Sequence, residues 1–106
     1  MAFTLSRIDR RYRTYDVTAT DADGDPTTPT AVHAALLPPR GRPTAATVWV
    51  TGDWDPVARE VTVLLAGPDA ATEGALTVPA SGADLWLRAT DNPEIDAERI
   101  ERIEVA

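Results

Sequence analysis

The chain has 106 residues, enough for one domain with a single hydrophobic core and too few for two. With no cysteine and one histidine, it excludes a disulfide framework, a thiolate nucleophile, a cysteine-based zinc site and a multi-histidine metal centre. A net charge of −7, from 17 acids against 10 bases, argues against general nucleic-acid binding, and no apolar run reaches the length of a membrane span.

In chain order, residues 2–8 read as a first strand with Phe3 and Leu5 on one face. Residues 13–20 alternate Thr14, Asp16 and Thr18 against Tyr15, Val17 and Ala19, the period of a half-buried strand. A polar connector follows through Asp21-Ala22-Asp23-Gly24-Asp25-Pro26. Residues 31–37 form a mostly apolar strand stopped by Pro38-Pro39, and residues 40–46 are a loop. Residues 47–51 read as a strand, 52–56 as a turn, and 59–66 as its hairpin partner with Val61, Val63 and Leu65 on one face. Residues 74–79 are a short strand candidate. Residues 83–90 alternate strongly, with Leu85, Leu87 and Ala89 inward and Trp86, Arg88 and Thr90 outward. After Asn92-Pro93-Glu94, which resembles a helix start, the reading favours a short turn and then a final edge strand.

Nine prolines and six glycines are scattered along the chain, with turn signals at short intervals. This pattern predicts an all-β fold: one β-sandwich, immunoglobulin-like, or a small β-barrel. The expected core is Val17, Val48, Val50, Val61, Val63, Leu65, Leu85 and Leu87. Residues 1–106 read as one domain, with residues 1–13 as a possible N-terminal docking arm.

Charge is unevenly placed. Arg7, Arg10, Arg11 and Arg13 face Asp9 alone in the first 13 residues, whereas the last 16 hold six acids and two arginines. The basic head is either a solvated strand edge paired with the protein's own acids or a docking contact with an acidic neighbour. Copies with opposite-signed ends would also attract head to tail.

No catalytic constellation is visible, and the expectation is a non-enzyme without cofactor or metal. The aspartates at 21, 23 and 25 resemble the opening of a calcium loop, but Pro26 and Val32 stand where that loop needs glycine and a bidentate glutamate. His33 lies on an alternating strand, where a satisfied or half-exposed histidine is the ordinary case. Ser6 and Ser81 lack a nucleophile-elbow context. Trp49 and Trp86 sit opposite aliphatic neighbours on their strands, so one set must face outward. Trp54 and Trp86 are therefore candidate partner-binding residues beside Arg7, Arg10, Arg11 and Arg13.

Three phrases in the second half are Thr-Val-Trp-Val-Thr-Gly-Asp-Trp from Thr47, Val-Thr-Val-Leu-Leu-Ala-Gly-Pro-Asp-Ala from Val61, and Ala-Asp-Leu-Trp-Leu-Arg-Ala-Thr-Asp-Asn-Pro-Glu from Ala83. This phrasing resembles small all-β virion structural proteins of tailed bacteriophages with GC-rich hosts. All ten bases are arginine, in keeping with such a genome. The resemblance implies a non-enzymatic domain that assembles in many copies on a capsid, a head-to-tail junction or a tail. Its partners would be other virion proteins and copies of itself, without nucleic acid or membrane. It would be made in the host cytoplasm, not secreted, and end in the virion. A stand-alone carbohydrate-binding module is the alternative expectation.

Overall fold

The computed structural model describes residues 2–20, 23–91 and 94–106. Among the described residues eleven strands follow one another: β1 (Ala2–Leu5), β2 (Arg10–Asp16), β3 (Ala19–Thr20), β4 (Pro26–Thr27), β5 (Ala31–Leu37), β6 (Val50–Thr51), β7 (Asp53–Asp55), β8 (Glu60–Ala66), β9 (Leu76–Thr77), β10 (Ala83–Asp91) and β11 (Glu94–Val105). There is no helix among the described residues, as the frequent prolines and β-branched alternation predict. A five-stranded sheet has the order β1-β11-β10-β5-β6. A second sheet has the order β2-β8-β7, with β9 also pairing β8, and β3 and β4 form a separate two-stranded ribbon. Neither main sheet closes on itself, so the architecture is a sandwich and not a barrel.

The core lies where the inner faces of the two sheets meet. Leu5, Val32, Ala34, Leu85, Leu87 and Ile103 from the five-stranded sheet pack against Val61, Val63 and Leu65 from β8. Val17 and Val78 close the edges of this layer. The alternation of Leu85, Leu87 and Ala89 against Trp86, Arg88 and Thr90 is observed as expected, because an apolar set at period 2 has one face to bury.

Several expectations are corrected. Residues 50–51 pair with β5, and the hairpin partner of β8 is instead β7, through Asp53↔Thr62 and Asp55↔Glu60. The chain changes sheets at Gly52, whose N–H donates to the Val32 carbonyl at 2.9 Å. A Cβ there would lie 2.5 Å from Val61 Cγ2, so only glycine lets the strand pass this close to the core. Val48 and Val50 are not core: they are 80% and 40% exposed. β6 is the outermost strand of its sheet, so even inner-facing side chains there find little cover from the narrower sheet opposite. β11 is not an edge strand, because β1 adds to it in parallel from Ala2↔Arg102 to Leu5↔Val105. The first strand ends at Leu5, and the candidate strand at 74–79 shortens to β9. Asn92 and Pro93, on which the expected turn rests, lie outside the described residues, as do Asp21 and Ala22 of the aspartate-rich connector.

Candidate functional site

The N-terminal segment is built into both sheets. β1 extends the five-stranded sheet, and β2 pairs along its whole length with β8, from Arg10↔Ala66 to Asp16↔Glu60. Between them, residues 6–9 form a tight turn. The Asp9 N–H donates to the Ser6 carbonyl, and the Ser6 N–H donates to the Asp9 carboxylate. The next turn clasps it: Gly67 N–H donates to the Asp9 carbonyl and Asp69 N–H to the Arg7 carbonyl, both at 2.9 Å. Arg7 then pairs with the Asp69 carboxylate at 2.8 Å, with both side chains about half exposed. At the tip of this braced turn Ile8 is 72% exposed.

The arginines of the basic head have distinct positions. Arg13 reaches across the sandwich to Glu101 on β11 at 3.1 Å, with its guanidinium 4.2 Å from the centre of the Phe3 ring. Tyr15 donates its O–H to the same carboxylate at 2.5 Å. Burial, and then the hydrogen bond to Glu101, push the Tyr15 phenol well above its ordinary value, so it stays a neutral donor. Glu101 lies opposite Leu85 on the inner face, and these two partners are what satisfy a carboxylate placed there. Arg10 donates to the Glu73 carbonyl at 2.6 Å, and the carboxylate nearest Arg11, that of Asp9, stands 3.8 Å away. Arg7 and Arg13 thus make close ion pairs within the molecule, whereas Arg11 makes a longer, exposed one with Asp9 and Arg10 bonds a backbone carbonyl.

A second polar cluster covers the outer face of the five-stranded sheet. The register against β10 shifts so that Leu85 faces Glu101 and Trp86 faces Arg99, which leaves Ile100 as an extra residue. This bulge brings Arg99 and Arg102, three apart in sequence, to the same side as Asp84. Asp84 is 2% exposed and is held by Arg102 at 2.8 Å and Arg99 at 3.1 Å. Burial alone would raise its carboxyl, but the two guanidinium hydrogen bonds outweigh this and hold it below the usual range. A depressed folded value stabilises the protein above the unfolded carboxylate range and loses that contribution as pH falls through the folded value. Asp84→Asn should therefore cost about 1–2 kcal/mol, discounted because both arginines are partly exposed. In urea titrations the loss should be present at neutral pH and shrink below pH 3.8, the ordinary aspartate value. An unchanged midpoint at pH 7 would contradict this role.

Further along that face, Arg88 lies opposite His33 and stacks on the Trp49 ring at 4.8 Å. Burial, and then the charge of Arg88, lower the His33 pKa. His33 makes no hydrogen bond to a described residue, so no described carboxylate or hydroxyl joins it in a proton-transfer chain. Trp54 packs against the core, and its indole N–H donates to the Pro29 carbonyl at 2.9 Å. Trp86 is half-buried on the outer face beside Ala35. Of the six candidate partner residues, the structure gathers Arg7, Arg10 and Arg11 near one turn. Arg13 is placed in the sheet-to-sheet network, and Trp54 and Trp86 lie elsewhere.

Away from the residue 6–9 turn, where β2 ends, a cavity of about 270 Å³ lies between residues of the two sheets. Val17, Val32, Leu87, Ala89 and Ile100 line it, with Asp16 and Glu98 among its polar walls. Both carboxylate residues are exposed. Neither Ile8 nor this cavity stands out in the sequence. Ile8 sits at the end of what reads as one continuous strand, and the cavity depends on which distant residues the fold brings together. Comparison with known proteins found no matching family model, curated protein or solved structure.

Proposed function

We propose that this chain is a non-enzymatic structural domain of a bacteriophage virion. It would assemble in many copies on the capsid or the head-to-tail junction by protein–protein contacts. The phrasing from Thr47 onward and the arginine-only basic composition support the phage setting. The observation that carries the assembly reading is the contrast between a braced interior and an exposed, open periphery. Ile8, Tyr12, Val48 and Val57 are large apolar side chains at least 72% exposed. In addition, β2 offers an edge whose second side no described strand pairs. Such features on a small domain are the means by which neighbouring chains dock. A carbohydrate-binding role on Trp54 draws no support, because that ring serves the core and its N–H is already bonded. Quantitative mass spectrometry of purified particles, produced by a cell carrying the gene in its native genomic setting, tests the reading. The chain should be present at many copies per particle. Its absence from particles while abundant in the same lysate would overturn the proposal.

A further inference from the structure

We infer that copies of this chain associate head to tail, the Ile8 tip of one seating in the cavity at the far end of β2 in the next. The inference deepens the assembly reading and takes its biological setting from it. The contact itself is a property of the purified chain.

The two surfaces lie toward opposite ends of the fold. The molecule measures 44 × 27 × 24 Å, and twelve residues of β11 at strand rise span about 40 Å, so the long axis runs with the strands. The residue 6–9 turn joins Leu5, level with Val105 at the end of β11, to Arg10 at the start of β2. The cavity takes Asp16 from the other end of β2, Val17 from just past it, and Glu98 from the earlier half of β11. A single copy therefore cannot fill its own cavity with its own tip.

The surfaces match in shape and charge. Ile8 is a branched apolar side chain presented by a turn that four backbone or carboxylate hydrogen bonds hold in place, so little flexibility is lost on docking. The part-exposed apolar walls of the cavity are Ala89 and Ile100, with the buried Val17, Val32 and Leu87 behind them, and its volume is large enough for such a side chain. Arg10, bonded to the Glu73 carbonyl, and Arg11, exposed and 3.8 Å from the Asp9 carboxylate, flank the tip, and Asp16 and Glu98 stand exposed at the cavity. Opposite charges around an apolar insertion fix orientation and disfavour tip-to-tip pairing, which would oppose arginines. A contact between unlike surfaces propagates into a ring or an open filament.

The test is sedimentation velocity on the full chain and on two kinds of variant, each checked by thermal unfolding. Ile8→Asp spoils the tip and leaves the cavity. Ala89→Phe fills the cavity and leaves the tip, and Glu98→Arg at the exposed rim does the same by charge should the filled variant fail to fold. The wild type should grow in mean mass with concentration, over a range up to about 1 mM, and lose this growth at high salt. Each variant alone should remain monomeric. Ile8→Asp mixed with a cavity variant should give a one-to-one complex that grows no further, because only one intact tip and one intact cavity are left. A monomeric wild type over the whole range, undiminished self-association of Ile8→Asp, or folded variants that do not complement would each overturn the inference. Any of these could occur while the chain is still abundant in particles, so failure of the contact is distinct from failure of the virion assignment.

Discussion

Leu85→Ala should be the most damaging of the core truncations, at about 4 kcal/mol. Leu85 is fully buried on the central strand of the larger sheet, between Leu36 on β5 and Glu101 on β11. Removing its side chain forfeits the transfer of that apolar surface from water and leaves a void that strands tied on both sides cannot close by collapse. It also thins the apolar layer beside the Glu101 carboxylate, whose satisfaction depends on Arg13 and Tyr15 reaching it from the opposite sheet. For a domain of ordinary stability this is a large fraction of the total. Chemical denaturation of the variant against the wild type measures it. A loss below about 1 kcal/mol would place Leu85 outside the core and reverse the facing of β10.

Gly67→Ala should cost about 3 kcal/mol although it adds a single methyl group. The residue 6–9 turn lies directly on Gly67, and a Cβ would run into the carbonyl oxygens of Ser6 and Arg7. The Arg7 oxygen accepts the Asp69 N–H, the Ser6 oxygen accepts the Asp9 N–H, and Gly67 itself ties the Asp9 carbonyl, so neither oxygen can swing aside as a flexible side chain would. Relief requires lifting the turn, which breaks those bonds and the Arg7–Asp69 pair and loosens the joint between β1 and β2. The same denaturation experiment reports the cost, and amide exchange of Asp9 and Asp69 locates it. A variant as stable as the wild type, with both amides still protected, would show that the turn does not pack as described.

Much of the sandwich was legible from the sequence because period-2 alternation needs only local information. Val61, Val63 and Leu65, like Leu85 and Leu87, declare an inner face without knowledge of their partners. What was not legible depends on which strand lies beside which. Gly52 resembles part of a turn, yet it marks a crossing between sheets, and the difference is set by Val32 and Val61, distant in sequence. The exposure of Val50 follows from β6 being outermost, and that of Val48 from its place before the strand begins, which no alternation reveals. Arg99 and Arg102 reach Asp84 together only because Ile100 is an extra residue in the pairing, and a strict alternation would separate them. The clustered arginines near the N-terminus were visible as charge. That Arg13 belongs to an internal network while Arg10 and Arg11 do not is a matter of which acids the fold brings near.

The central claim is that this folded domain occupies repeated positions in a particle. Electron cryomicroscopy of purified particles tests it most directly. Density is expected at symmetry-related sites for a two-sheet domain of 44 × 27 × 24 Å, with its five-stranded and smaller sheets recognisable. Particles whose ordered density is fully explained by other chains, with this domain left in the supernatant, would contradict it.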